Sequence, residues 1–352
     1  MKIIFDLQYQ EMLSLPLTEV AMNRLPGLTW VNICYDNLTH RGYEVSLSSN
    51  IDRFEDVKGA ILISDMYTAY TDKLISRGAI AHLVFSMESP NISKSFYSTY
   101  SSKYNYNYSY LFPGIFSFFG NGKQNLPLFW PNAQVSQHYK NKHKDVFLGM
   151  IASNKQMFNR RFKFIPGIVE RTIKKAVWSS YYDRLNKMNY ADLYKNRLEA
   201  IVYFSEFKDF ALFGRGWDKQ NTLSLENFNH IQKIKPQEID DKLETLSRMK
   251  FSICFENFRF PGYITEKIFD CFFTGTVPIY LGAPDIENYV PTNCFVDASQ
   301  FGSFSEMNDF IRSMSSEKIK ELLENANDFL NSSAYEKFTD RYFANQILNS
   351  IN

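Results

Sequence analysis

Tyr263, Glu266 and Lys267 stand close together in Tyr263-Ile264-Thr265-Glu266-Lys267, shortly beyond the apolar run Phe251 to Phe255. Thr265 can cap a helix whose Ile268, Phe269, Phe272 and Phe273 form one apolar face, and Gly275 ends it before a second apolar run, Val277 to Leu281. A strand, a loop and a helix start in that order put the three polar residues at the carboxyl end of a parallel strand. There α/β sheets bind ligands and backbone N–H groups favour anions, so the chemistry indicated is phosphate binding. The competing reading is an ordinary crossover helix with solvated charges, and a lysine alone would not displace it.

Two further segments carry reactive types. Glu88, in Phe85-Ser86-Met87-Glu88-Ser89-Pro90, follows the apolar run Ala79 to Phe85 and is a carboxylate able to take a proton; its competing role is to hold loop N–H groups. Arg197 lies in Leu193-Tyr194-Lys195-Asn196-Arg197, which opens a helix with Ile201 and Phe204, and a guanidinium suits bidentate phosphate binding. Its competing reading is an exposed helix arginine. Gly214-Arg215-Gly216 is not a GxGxxG fingerprint and predicts no nicotinamide site. No Asp-x-Asp occurs, and the histidines at 40, 82, 138, 143 and 230 do not cluster with acids at metal-ligand spacing, so no metal is expected.

These residues need a scaffold, and the apolar pattern predicts one. Lys2 to Phe5, Ala60 to Ser64, Ala79 to Phe85, Val146 to Ala152, Phe210 to Phe213, Phe251 to Phe255, Val277 to Leu281 and Cys294 to Val296 read as strands between helical patterns, an α/β chain with parallel sheets. At 352 residues the chain is long enough for two domains of roughly 150 residues or more. The polar stretch Pro127 to Lys144 separates residues 1–140 from 141–330, and an amphipathic helix near Tyr335 to Leu348 is expected to pack residues 331–352 back across the pair.

Composition removes other classes. With 45% hydrophobic and 22% charged residues the chain is not disordered, and a net charge of +1 gives no global field for nucleic acid. Lys155 to Tyr190 is locally basic, with nine Lys or Arg against Glu170 and Asp183. It reads preferentially as a packed helix with a solvated basic face, and alternatively as a peripheral membrane contact. Tyr104, Tyr106, Tyr108 and Tyr110 alternate as one strand face, packed on a neighbour in the preferred reading and a sugar-stacking platform in the other. Cys34, Cys254, Cys271 and Cys294 form no CxxC and are expected as buried thiols. Neither a membrane span nor a signal-peptide layout is evident, so a cytoplasmic location is expected and the Asn-x-Ser/Thr sequons at Asn37, Asn91 and Asn107 read as chance matches.

Taken together, Phe255-Glu256-Asn257, Tyr263-Ile264-Thr265-Glu266-Lys267, Gly275-Thr276-Val277-Pro278-Ile279, Gly282 and Tyr289-Val290-Pro291 resemble the donor-binding signature of the α1,3/4-fucosyltransferases, glycosyltransferase family ten, in a bacterial-type form. The resemblance is dense from Phe251 to Pro291 and weaker over most of the chain. It implies a GT-B fold, with two Rossmann-like domains facing a central cleft, the first for acceptor and the second for donor. It also implies inverting transfer of L-fucose from GDP-β-L-fucose to a saccharide hydroxyl, commonly the 3-OH of GlcNAc or glucose, in the synthesis of a surface glycan such as lipopolysaccharide.

By the same resemblance Glu88 is the base, and Arg197 and Lys267 bind the diphosphate. Asn257, Tyr263 and Glu266 contact diphosphate, ribose or fucose, and Asn154 is a further candidate for the donor cleft. Arg160 or Arg161 competes for the role of Arg197. Some members carry an acid just upstream of the glutamate; here Phe85 and Ser86 hold those places, leaving Glu88 the only carboxylate of its stretch. The implied partners are GDP-fucose and an oligosaccharide or lipid-linked glycan, with no nucleic acid, metal or other cofactor. Lys267, Arg197 and a helix N-terminus then supply the charge that a divalent ion supplies elsewhere. The alternatives are a GT-B transferase using another nucleotide sugar and a catalytically silent saccharide-binding homologue.

Overall fold

The apolar runs assemble into two separate parallel sheets in the computed structural model, which describes residues 1–8, 10–51, 57–65, 68–89, 93, 96, 103–110, 125–140, 142–154, 191–220 and 223–351. The chain divides into two compact units: Met1–Val135 with Pro261–Glu266 and Asn331–Asn352, and Ser136–Phe260 with Lys267–Leu330. The basic stretch 155–190, with Arg160 and Arg161, lies outside the described residues.

In the first unit β1 (Lys2–Asp6), β2 (Glu44–Leu47), β3 (Ile61–Asp65), β4 (Ile80–Phe85), β5 (Tyr106–Ser109) and β6 (Asn125–Pro127) lie in the order β2-β1-β3-β4-β5-β6, all parallel. Helices α1 (Glu19–Arg24), α2 (Trp30–His40) and α3 (Thr71–Ser76) fall between these strands in the chain. From β1 the chain moves to one side, to β2, then returns across β1 to β3. The carboxyl ends of β1 and β3 therefore flank a topological switch point. Asp6 ends β1 and Asp65 ends β3.

The second unit repeats this logic. Its strands β7 (Val146–Ile151), β9 (Phe210–Phe213), β10 (Met249–Phe255), β12 (Val277–Leu281) and β13 (Val296–Asp297) run parallel in the order β13-β12-β10-β7-β9, so that β7 and β10 flank its switch point. A two-residue antiparallel pair, β8 (Ala191–Asp192) with β11 (Phe258–Arg259), stands apart from the sheet. The helices here are α4 (Tyr194–Phe204), α5 (Leu225–Gln232), α6 (Lys242–Ser247), α7 (Glu266–Thr274), α8 (Phe304–Ser313) and α9 (Ser316–Leu330). Ile268, Phe269 and Phe272 of α7 are buried, as their spacing predicts. Gly275, at φ +62°, ends α7 with Thr276 N donating to Cys271 O at 2.9 Å, a six-residue closure that a left-handed glycine permits. The half-buried Lys144 donates from Nζ to Thr274 O at 2.9 Å, a cation at the negative end of the helix.

The last helix, α10 (Asp340–Ile351), begins later than predicted because Glu336–Phe338 forms a separate single turn. Phe343 places its ring 5.3 Å from Trp30, 5.2 Å from Phe85 and 6.0 Å from Tyr108, joining α10 to the first unit's core. Asn132, read from sequence as part of a linker, anchors this return: its Nδ2 donates to Phe338 O at 2.9 Å, and Asp340 N donates to its carbonyl at 3.0 Å. Residues 331–352 thus group with the first unit. So do residues 261–266, which the sequence places in the second domain. The alternating tyrosines resolve as packing, since Tyr104, Tyr108 and Tyr110 are buried and the Tyr104 hydroxyl lies 2.7 Å from Ser64 Oγ. All four cysteines are buried thiols.

Candidate functional site

In the second unit the predicted cations are held by two consecutive residues just past β10. Lys267, in the first turn of α7, places its ammonium 3.1 Å from Glu256 Oε2. Arg197, in α4, donates from Nη1 to Asn257 Oδ1 at 2.8 Å. The β8–β11 pair makes the second contact reproducible: Leu193 N donates to Asn257 O at 3.2 Å, so the start of α4 is tied by its backbone to the residue that its arginine reaches. Two positive side chains from different helices are thereby fixed by Glu256 and Asn257 beside the switch point between β7 and β10. Asn257, expected to contact donor, has its amide oxygen on Arg197.

In the sequence Glu256 stands within the Phe255-Glu256-Asn257 match but is assigned no role of its own. Its side chain is 0% exposed, whereas that of Lys267 is 17% exposed, so the carboxylate is the buried member of the pair. Glu256 N donates to Leu281 O at 2.8 Å. A Cβ on Gly282 would stand 2.6 Å from Glu256 Cγ and 2.3 Å from the Tyr280 hydroxyl, which explains glycine there without any appeal to φ. The Tyr280 hydroxyl accepts from Ala283 N at 3.0 Å, and burial first, then the Glu256 charge, hold its phenol well above the usual range.

Asn154, past the end of β7, is buried and directed to the turn after β9. Its Nδ2 donates to Gly216 O at 3.0 Å and Lys219 O at 2.9 Å, and the Tyr194 hydroxyl reaches its Oδ1 at 3.4 Å. Gly214 and Gly216 have φ of +125° and +81°, and a Cβ on Gly214 would fall 2.2 Å from Ala152 O. These glycines let the turn after β9 lie against the end of β7, where Trp217 Nε1 donates to Ala152 O at 2.7 Å. Asn154 therefore braces the turn after β9 against the end of β7.

Tyr263 and Glu266 belong to the hexapeptide that groups with the first unit. Tyr263 is 1% exposed and meets Tyr110 edge-on at 4.7 Å. Glu266 is the first residue of α7, where a carboxylate complements the helix dipole.

The first unit carries an acidic edge. Glu88 lies three residues past β4, and its N–H donates to Ser86 Oγ at 3.2 Å. Asp65, missed from sequence, pairs in register with Phe85, the last residue of β4. Its carboxyl is pushed up to about 7, by burial first and then by the Glu88 and Asp6 charges. Glu88 is thus not alone, and the neighbouring acid comes from the adjacent strand instead of from its own stretch. Asp6 is satisfied by neutral donors: Ser48 Oγ at 2.7 Å, Thr71 Oγ1 at 2.6 Å, Gln10 Nε2 at 3.1 Å and the Thr68 hydroxyl. Among the described residues no group of three His, Cys, Asp or Glu is placed to hold a metal, and no helix is long and apolar enough to cross a membrane.

The fold is shared with known proteins. The chain shares its two-sheet α/β fold with a solved α1,3-fucosyltransferase bound to GDP, at TM-score 0.52 and 18% identity over 99% of this chain and 88% of that one. Anabaena HepE, solved with UDP and glucose, gives TM-score 0.57 at 9% identity over 100% and 99%. Both neighbours are GT-B glycosyltransferases, the fold class that the sequence predicts. In sequence, 100 residues are 38% identical to the Helicobacter pylori α-(1,3)-fucosyltransferase FucT, covering 28% of this chain and 21% of that protein. A further 34% identity over 74 residues links it to an Arabidopsis thaliana α-(1,4)-fucosyltransferase, covering 21% and 18%. The match thus spans about a fifth of the length of these relatives. Residues 213–322, which run from the end of β9 through β10, α7 and β12 into α9, fit the model of the glycosyltransferase family 10 (fucosyltransferase) C-terminal domain.

Proposed function

We propose that this chain is an inverting fucosyltransferase that takes L-fucose from GDP-β-L-fucose and delivers it to a saccharide hydroxyl, with the 3-OH of GlcNAc or glucose as the expected acceptor position. The observation that carries the reading is the pair of cations, Lys267 and Arg197, fixed by Glu256 and Asn257 beside the switch point of a parallel sheet. In the reaction the acceptor oxygen forms a bond to the anomeric carbon while the bond from that carbon to the β-phosphate oxygen breaks. Glu88 takes the hydroxyl proton, and GDP leaves with the electron pair. Lys267 and Arg197 neutralise the growing charge on the diphosphate, a task that needs no divalent ion. Surface-glycan synthesis, such as that of lipopolysaccharide, is the setting that suits this chemistry.

A second reading, transfer from a uridine nucleotide sugar, is favoured by the likeness to HepE, which was solved with UDP. Calorimetric titration with GDP, UDP, ADP and GDP-fucose in EDTA separates the two. Selective binding of GDP and GDP-fucose is expected. Preference for UDP or ADP overturns the fucose donor, and the absence of any binding favours a silent homologue.

A further inference from the structure

The two cations of the candidate diphosphate site have different contacts. Arg197 donates to a neutral amide oxygen, whereas Lys267 is held by a carboxylate with no solvent exposure. An ammonium carries three donors, so it can bridge a carboxylate and a phosphate at once, provided that the carboxylate does not move.

Glu256 meets that condition. Its N–H is tied to Leu281 O at 2.8 Å, and its Cγ lies over Gly282 in space that a Cβ would enter at 2.6 Å. The Tyr280 hydroxyl, fixed by Ala283 N, borders the same space. From the other side, Cys254 Sγ donates to Lys267 O at 3.5 Å, so both ends of the pair are seated on β10, β12 and α7.

We infer that Glu256 is a positioning residue, which acts through Lys267 by holding its ammonium in the one place from which it reaches a bound diphosphate. The inference rests on the diphosphate reading given above. A flexible lysine spends rotamer entropy each time it binds a phosphate; one tethered to a buried carboxylate has already spent it.

The test is a double-mutant cycle on GDP binding by the full chain, with folding of each variant checked by circular dichroism. Glu256→Gln keeps shape but removes the charge, and is expected to weaken GDP binding about tenfold. Glu256→Asp keeps the charge on a shorter arm and is expected to lose less; it also serves if the glutamine variant does not fold. Lys267→Ala with Glu256→Gln is expected to bind GDP no worse than Lys267→Ala alone, because Glu256 acts only through the lysine. Equal or tighter GDP binding by folded Glu256→Gln overturns the inference, as do losses that multiply in the double variant. Wild-type chain that binds none of GDP, UDP and ADP overturns the diphosphate reading itself, and the inference with it. Wild-type binding with an unchanged Glu256→Gln overturns the inference alone.

Discussion

The Lys267 ammonium lies 3.1 Å from Glu256 Oε2, and the glutamate side chain is wholly buried. Removing one member of such a pair leaves the other charged and unsolvated. Lys267→Ala is therefore expected to destabilise the chain by about 3 kcal/mol in urea unfolding, beyond any effect on ligand. Adding Glu256→Gln should recover most of that loss, because an amide tolerates the pocket better than a buried carboxylate that has lost its cation. A double variant no more stable than the single one would show that the pair does not carry the effect.

Asp65 provides a pH test whose sign is fixed. Its folded-state value of about 7 lies above an unfolded carboxylate's ~3.9. Between those limits the folded chain binds more protons than the unfolded one, so this group's contribution to stability falls as pH rises from about 4 to about 7, and the penalty stays above that range. Asp65→Asn removes the titration. Thermal melting should show the variant gaining roughly 2–4 °C over wild type at pH 8 and nothing at pH 4. Equal melting temperatures at both pH values would contradict the assignment.

The turn after β9 allows an internal comparison between two glycines. A Cβ on Gly214 meets backbone at 2.2 Å, whereas one on Gly216 meets Asn154 O at 3.1 Å, and both have positive φ. Gly214→Ala is expected to cost more stability than Gly216→Ala, by at least about 1 kcal/mol, since only the first forces the ends of β7 and β9 apart. Chemical denaturation of the two variants side by side decides it. The reverse order would contradict the clash at Gly214.

The strands were legible wherever a buried parallel strand makes an unbroken apolar run: Phe210–Phe213 and Val277–Leu281 appear with the predicted ends. Glu44–Leu47 was not, because its residues alternate at the sheet edge, and neither were the two-residue β8 and β11, which exist only through their pairing. Lys267 and Arg197 were legible as charges at helix starts. What holds them was not: Glu256 follows a strand and reads as a loop acid until α7 folds against it, and Asn257 reads as a ligand contact until β8 brings α4 beside it. Asp65 shows the same limit, since its neighbour Glu88 comes into reach only through the β3–β4 register. Sequence marks the groups that carry charge, while the groups that restrain them emerge from pairing across elements.

Arg197 supplies the remaining prediction. Its Nη1 contact to Asn257 Oδ1 at 2.8 Å fixes the plane of the guanidinium, and planarity is what allows two parallel hydrogen bonds to a phosphate. Lysine cannot reproduce that geometry, so Arg197→Lys should weaken GDP binding nearly as much as Arg197→Ala, by about 10- to 100-fold. Asn257→Ala leaves the charge in place but removes its anchor. A smaller loss of about tenfold is expected, with the salt dependence of binding unchanged, since long-range attraction depends on charge and not on orientation. Titration with GDP at two ionic strengths separates these effects. If Arg197→Lys binds as wild type does, the guanidinium acts as a point charge and the Asn257 contact has no part in orienting it.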